Sequence, residues 1–357
     1  MLNLNKNFDS FTSGGSYAVM EKAAKLEKKG KSIIHFEIGQ PDFPTPETIV
    51  LAGISALKKG YTKYNPPLGI MPLRERLAKI HNVSSHQIAI TPSGKTALFA
   101  AMSAVLNKGD HVYYPDPGFP TYRILTKYFG CIPQDKITNK TKLIILNSPN
   151  NPTGNVMTKK EMHEINKHNS WVITDEIYSH IVYGNYVSYY DICNTKKTIL
   201  VHGFSKTYSM TGWRIGYLAF PKELEEKMDC FLTHMVGCTA TFTQYAALEA
   251  VQGSQISVAE MVAEFKKRRD YIIKALLDIP GVICPKPDGA FYVFPDISSF
   301  GKTSAEIADY LLKNGVAVLP GTLFGKNGEG NIRLSYATNW KNIKEGIKRM
   351  KIAFYNL

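Results

Sequence analysis

The sequence predicts an α/β protein: a large doubly wound domain around a mainly parallel sheet, joined to a smaller α+β domain. Three observations predict it. Short apolar runs alternate with helical segments through the first two thirds of the chain. Ser93, Asn151, Asp175 and Lys206 each follow one of these runs, and ligands in such sheets bind at the carboxyl ends of the strands. Beyond Gly253 the order changes to a long helix, then strand, helix, strand, strand, helix.

The elements are justified in chain order. Met20 to Lys29 reads as a short charged helix and Ser32 to Glu37 as a strand, which runs into the turn-rich Gly39-Gln40-Pro41-Asp42-Phe43-Pro44. Thr45-Pro46-Glu47 predicts a helix start, with a hydroxyl cap and a proline in the first turn. Strands are expected at Gln87–Thr91, His111–Tyr114, Lys142–Leu146, Trp171–Thr174 and Thr198–His202, with a helix at Lys95–Leu106. A helix from Gly253 to Leu277 is expected to turn Glu264, Lys267, Arg268 and Asp270 to water. Ala290–Phe294, Val316–Pro320 and Asn331–Tyr336 read as strands, Ser304–Asn314 and Trp340–Phe354 as helices. The expected division is a large domain at 33–270 and a small domain made of 1–32 and 271–357.

Bulk properties narrow the class. The 357 residues are 44% hydrophobic and 20% charged, as in a globular protein without a membrane partner. No apolar run nears the roughly 18 residues of a membrane span. Met1 to Ser16 is polar and lacks a signal-peptide core, so a cytoplasmic location is expected. The five cysteines are scattered and contain no Cys-x-x-Cys pair, which predicts free thiols and no metal site. The net charge is +13, but only eight of the 43 basic residues are arginine. The lysines fall on helix faces, such as Lys22, Lys25, Lys28 and Lys29, or Lys341, Lys344, Lys348 and Lys351. That pattern argues for a solvated surface rather than nucleic-acid binding.

The stretch richest in chemistry is Gly203-Phe204-Ser205-Lys206-Thr207-Tyr208-Ser209-Met210-Thr211-Gly212-Trp213-Arg214-Ile215-Gly216. A lysine that bonds an aldehyde needs a neutral amine, room around its nitrogen and a site for a large anion nearby. Small neighbours give the room, and an arginine eight positions on can hold the anion. A lysine with a pKa near ~10.4 in water becomes a nucleophile only when burial and neighbouring cations lower that value. Asp175 closes the apolar run Trp171-Val172-Ile173-Thr174, where a carboxylate needs a cationic partner. Arg333 lies in the apolar Asn331-Ile332-Arg333-Leu334-Ser335-Tyr336, where an unpaired arginine is costly.

The lysine stretch resembles the signature of the class I/II aminotransferases, which bind pyridoxal 5'-phosphate (PLP), and further motifs follow in that family's order from about Ser16 to the C-terminus. The resemblance implies fold type I of the PLP-dependent transferases and assigns roles residue by residue. Lys206 would be the lysine that bonds the cofactor and shuttles a proton at the substrate. Asp175 would face the pyridinium nitrogen. Tyr178, and Asn151 in Asn147-Ser148-Pro149-Asn150-Asn151-Pro152-Thr153-Gly154, would hold the ring's phenolic oxygen, with Asn150 structural. Ser93, Gly94 and Lys95, at a helix N-terminus suited to anions, would form the phosphate cup. Arg214 would clamp the phosphate, with Ser205 standing in for a serine often found at Gly203. Phe119 would stack on the ring. Tyr64 would reach the phosphate of a neighbouring subunit, making the protein an obligate homodimer. Arg333 would fork the substrate α-carboxylate, aided by the Gly39 N–H and Asn151.

The implied activity is ping-pong transamination from an L-amino acid, aspartate or aromatic, to a 2-oxo acid such as 2-oxoglutarate. β-Elimination on the same scaffold is the alternative. A PLP-dependent transcription regulator would need a DNA-binding domain ahead of motifs that already begin by Gly39. No arginine obviously serves a second substrate carboxylate, with Arg123 and residues of a partner subunit left open. The chain departs from the family pattern in one place. Only eleven residues, Cys131 to Thr141, stand where the family has enough for another strand and helix, so loss of peripheral structure is expected there.

Overall fold

The computed structural model describes residues 6–11, 15–193 and 195–357. Parts of the expected N-terminal segment, residues 1–5 and 12–14, lie outside them. The first elements are α1 (Ser16–Glu27), β1 (Ile34–His35), α2 (Glu47–Lys58), α3 (Met71–His81), β2 (Ile88–Thr91), α4 (Gly94–Val105), β3 (His111–Tyr113), α5 (Pro120–Tyr128) and β4 (Ile132–Gln134). Then come β5 (Thr141–Asn147), α6 (Lys159–Asn166), β6 (Trp171–Asp175), α7 (Tyr189–Ile192), β7 (Thr198–Gly203), β8 (Gly216–Ala219), α8 (Glu225–Met235), α9 (Thr241–Gln252) and α10 (Ile256–Leu277). The chain ends with β9 (Tyr292–Val293), α11 (Ser304–Lys313), β10 (Val316–Ala317), β11 (Leu319–Pro320), β12 (Ile332–Ser335) and α12 (Trp340–Tyr355).

The central sheet has seven strands in the order β2-β8-β7-β6-β5-β3-β4. All neighbours run parallel except β8, which is antiparallel to both β2 and β7. Strand residues alternate between two packed faces, which is why the middles of these runs are apolar, as in residues 143–146 and 199–201. Ile199 and Val201 of β7 join the core under α4, whereas Leu200 joins the core under α3 and α9. On β5, Leu143 and Ile145 face one way, and Ile144 and Leu146 face Met162 of α6.

Helices cover the third core as well. The antiparallel sheet β11-β12-β9 packs with α10, α11 and α12 around Phe265, Phe291, Ile307, Leu334 and Ile347. β1 pairs in parallel with β10, so residues 34–35 bond to the C-terminal segment, and Ala23 of α1 packs on Leu312 and Ala317. α10 is a single helix that crosses residue 270.

Several expectations are corrected. Thr45 does not cap α2; its hydroxyl donates to Ser209 O at 2.7 Å and accepts from Trp213 Nε1 at 3.1 Å, and Pro46 holds the cap position. Arg268 is not on the wet face of α10. It is buried, pairs with Asp42 at 2.7 Å and Glu264 at 3.1 Å, and lies over the Phe43 ring, so tertiary partners override the helical pattern. The short 131–141 segment keeps a strand: β4 pairs with β3 at the sheet edge, and no helix follows before β5. All five cysteines are free. Among the described residues no helix is long and apolar enough to cross a membrane, and no group of metal-ligating side chains forms a site.

Candidate active site

The parallel strands, and β2 with them, end on one edge of the sheet. There Thr91, Tyr113, Asn147, Asp175 and Gly203 close β2, β3, β5, β6 and β7. The segments that follow carry Ser93, Phe119, Asn151, Tyr178 and Lys206, so the topology gathers residues far apart in sequence.

Ser93 caps α4, its hydroxyl accepting from Thr96 N at 3.1 Å. The first-turn amides of Gly94 and Lys95 have no acceptor within the helix and suit an anion. A side chain at Gly216 would meet Gly94 N at 2.6 Å, so β8 and the start of α4 touch backbone to backbone. Arg214, two residues earlier, is exposed, with a left-handed φ of 53°, and its Nη1 donates to Thr211 O at 2.8 Å. Ser205 is half-buried and makes no hydrogen bond among the described residues.

Lys206 Nζ donates to Gly39 O at 2.5 Å and lies over the Phe291 ring at 5.9 Å. Burial pushes its pKa down to about 8, with the positive charges of Arg333, Lys95 and Arg214 adding to the effect. It is the Gly39 carbonyl, not its N–H, that the protein engages here. Asp175 is buried; its Oδ2 accepts from Tyr122 OH at 2.7 Å and its Oδ1 from Ile177 N at 3.3 Å. Burial pushes its pKa up to about 6, against the lowering effect of the Tyr122 bond. No cation pairs with it among the described residues.

Arg333 projects from β12 to the same place. Its Nη2 donates to Glu37 O at 2.5 Å and its Nη1 to Asn151 Oδ1 at 3.2 Å, while its guanidinium covers the rings of Tyr292 and Phe324. Nε is buried without a partner among the described residues, as is Thr207 Oγ1. Tyr178 OH shares a 2.7 Å hydrogen bond with Tyr292 OH. Asn150 is occupied locally, accepting from Thr153 N and Oγ1. Phe119 meets Tyr122 edge-on at 5.6 Å and has Lys95 Nζ 5.7 Å from its centroid. Tyr64 is elsewhere, 95% exposed.

The structure thus brings together Ser93, Gly94, Lys95, Phe119, Asn151, Asp175, Tyr178, Lys206, Arg333 and Gly39, and leaves Tyr64 outside. It adds residues that the sequence did not single out. Tyr122 and Tyr292 are buried hydroxyls that orient Asp175 and Tyr178. Lys95, expected only for its amide, also turns its ammonium over Phe119, and burial and Arg214 lower its pKa. Tyr122, three residues after Phe119 and so on the same side of α5, was the legible signal; Tyr292 had none.

These side chains suit PLP. A buried carboxylate without a cation suits a protonated ring nitrogen, an amine pushed toward neutrality suits an aldehyde, and an unsatisfied buried guanidinium nitrogen suits a substrate carboxylate.

Comparisons with known proteins agree. A family model described as aminotransferase class I and II matches residues 31–350. A probable aspartate aminotransferase of Methanocaldococcus jannaschii is 41% identical over 354 residues, covering 90% of this chain and 93% of its own. A (5-formylfuran-3-yl)methyl phosphate transaminase of the same organism is 38% identical and covers 98% of each chain. The structure of Thermus thermophilus aspartate aminotransferase with maleate superposes with a TM-score of 0.94 at 33% identity, over 99% of this chain and 100% of that one.

Proposed function

Because the chain belongs to the class I and II aminotransferases, we propose that Lys206 is the amine that bonds the cofactor and moves the proton at the substrate, with Asp175 and Arg333 as its two indispensable supports. The protein is a PLP-dependent transaminase acting on amino acids and 2-oxo acids. When bound, PLP supplies an electron-withdrawing ring that stabilises negative charge at the substrate α-carbon.

The chain's own residues do the rest. Asp175, aligned by Tyr122, would keep a proton on the ring nitrogen. Tyr178 and the Asn151 amide would donate to the phenolic oxygen. The amides of Gly94 and Lys95, with Arg214 and Ser205, would hold the phosphate, and Phe119 would cover the ring. Arg333 binds the substrate α-carboxylate and so fixes the direction of the Cα–H bond. Lys206 Nζ then takes that proton as a base, a role that contributes roughly 10²–10⁴-fold. The order is ping-pong: the first oxo acid leaves before the second enters, with 2-oxoglutarate as acceptor.

The Lys95 ammonium supports an acidic donor such as aspartate. It is exposed, lies over the Phe119 ring at 5.7 Å from the centroid, and has no ion-pair or hydrogen-bond partner among the described residues. Maleate, bound by the Thermus enzyme, is likewise a dicarboxylate. We assign the assembly as a homodimer, with Tyr64 entering the partner's site. Its exposure supports this, as does the neighbouring run of exposed Leu51, Ile54, Leu57, Tyr61 and Met71.

The observation that carries the reading is a lysine that donates to Gly39 O and is lowered to about 8 by burial and by Arg333, Lys95 and Arg214, at the same sheet edge as a buried carboxylate that lacks a cation among the described residues. A panel of the twenty amino acids with PLP and 2-oxoglutarate tests it. Glutamate should form with at least one donor, best with aspartate or an aromatic one, and Lys206→Ala should abolish both turnover and borohydride fixation of the cofactor. Glutamate formation from none of the twenty would overturn it.

A further inference from the structure

Three histidines that the transamination reading leaves unused gather behind the Lys206 turn. His202, the penultimate residue of β7, is buried, and Gly203 N donates to its Nδ1 at 2.7 Å. A backbone N–H can only donate, so Nδ1 carries no hydrogen and Nε2 carries it. Nε2–H then donates to Ser179 Oγ at 2.8 Å, and Ser179 lies 3.1 Å from His180 Nδ1. The His202 ring stacks on Tyr217 of β8 at 5.2 Å and meets His180 edge-on at 5.6 Å. His81 of α3 closes the cluster through its 2.8 Å bond to Tyr217 OH.

The backbone beside this ring touches the cofactor pocket on two sides. Gly203 is three residues before Lys206. A side chain at Gly216 would meet Gly94 N and Ser93 C on α4's first turn, and His202 O at 3.1 Å, so these three backbones form one contact. We propose that His202 is a positioning residue: its neutral ring holds the Gly203 peptide, and with it the Lys206 turn and the start of α4, so that a proton taken up by the histidine cluster loosens the grip on PLP. The proposal rests on the reading of Lys206 and α4 as the cofactor pocket.

A protonated His202 would set Nδ1–H against the Gly203 N–H, two donors facing each other. The acceptor then in reach is Gly203 O, at 3.2 Å from Nδ1, so the ring changes its hold from the amide to the carbonyl of the same residue. His180 gives the proton a way in. It is exposed on the wall of an open cleft of about 670 Å³, shared with Tyr208, Gln255 and Lys266. The groups facing the cluster are Tyr217 and Tyr208, His81 from α3 with Tyr190 against its ring, and Glu176, whose charge reaches Tyr217. Glu176 is already held by Tyr186 OH, Thr174 Oγ1 and Tyr190 N, and α4 contributes only main chain. The cluster has no free carboxylate to stabilise a charged imidazole. Burial, and then His180 and His81, keep His202 well below its ordinary pKa, and burial pushes His81 down to about 4.

The test compares wild type, His202→Asn and His202→Ala. Asparagine places an acceptor oxygen where Nδ1 stands and cannot be protonated. PLP retained after desalting is measured from pH 8 to pH 3.5, because the cluster is still neutral at pH 5, and circular dichroism at each pH confirms that the chain stays folded. His202→Asn should keep PLP at pH 8 and lose it at a midpoint at least one pH unit below that of wild type. His202→Ala should bind about ten-fold more weakly at pH 8, the factor one lost buried hydrogen bond carries. Equal acid midpoints for wild type and His202→Asn would overturn the proposal. Nitrogen-15 NMR of the PLP-free chain is the second readout: a His202 tautomer protonated at Nε2, with a Gly203 amide that titrates with the ring, supports it, and an Nδ1–H tautomer overturns it. Wild type that fails to take up PLP at pH 8 would instead count against the cofactor pocket, and the NMR result would still decide the role of His202.

Discussion

Tyr122 donates its phenolic hydrogen to Asp175 Oδ2 across 2.7 Å, and both side chains are buried. The bond joins α5 to the end of β6 and opposes the effect of burial on the carboxyl, which still rises to about 6. The tyrosine is in turn held in its phenol form, pushed well above its ordinary pKa by burial and by Asp175.

Tyr122→Phe removes the donor and raises the Asp175 pKa further. The carboxylate is charged only above that pKa, so activity falls as pH drops through it. In the PLP-free chain the Asp175 carboxyl should titrate about one pH unit higher, the order expected for one hydrogen bond to a charged group, and in the loaded enzyme, where the ring cation lowers both values, the acid limb of kcat/KM should move in the same direction. An unmoved acid limb in the pH–rate profile would show that Asp175 is not the group seen there.

Arg333→Lys should cut kcat/KM for every donor by about 10- to 100-fold, mostly through KM. An ammonium cannot reproduce the fork that reaches Glu37 O and Asn151 Oδ1 at once while presenting nitrogens to a carboxylate. Steady-state kinetics with two donors of different side chain checks it. A loss confined to one donor would move Arg333 from α-carboxylate to side-chain recognition.

Tyr64 is 95% exposed, yet the proposed dimer gives it work in a neighbouring site. The inactive Lys206→Ala and the weakened Tyr64→Phe should complement when mixed, because one hybrid site then has both residues intact. Assay of the mixed and refolded pair is the measurement. Activity no higher than the sum of the separate variants, or a monomer by sedimentation, would remove Tyr64 from the partner's site.

His35 bridges Glu37 Oε1 at 2.7 Å and Glu27 Oε1 at 3.1 Å, and its pKa is raised to about 9, mainly by the hydrogen bond to buried Glu37. A raised folded-state pKa gives stability that is fully present below the unfolded value near ~6.5 and is lost as pH climbs through about 9. The His ring is partly exposed, so solvent screens part of the gain. His35→Gln should therefore lower Tm at pH 6 and approach wild type at pH 9.5. The same difference at both pH values would mean that packing, not charge, holds β1.

Strands of the central sheet were legible wherever both faces are buried, as at Ile88–Thr91 or Trp171–Asp175, because such runs are apolar up to their last one or two residues. β8 and β4 were not. Gly216–Ala219 is short and follows the lysine stretch without a turn signal, and Ile132–Gln134 is an exposed edge strand containing proline. Arg268 was misread for a related reason: a charge at a helical position reads as solvent-facing until Asp42, 226 residues away, closes over it.

By itself the sequence determined the chemistry at hand: one lysine among small residues, a carboxylate closing an apolar run, an arginine in an apolar strand. These are local facts, set by which residues neighbour each other along the chain. Only the tertiary structure decided what surrounds each group, such as Tyr122 on Asp175, Gly39 on Lys206, Asn151 on Arg333 and Ser179 on His202. Burial and charge act through space, so the lowered lysine and the raised aspartate come into being only when distant strands end at one edge of the sheet.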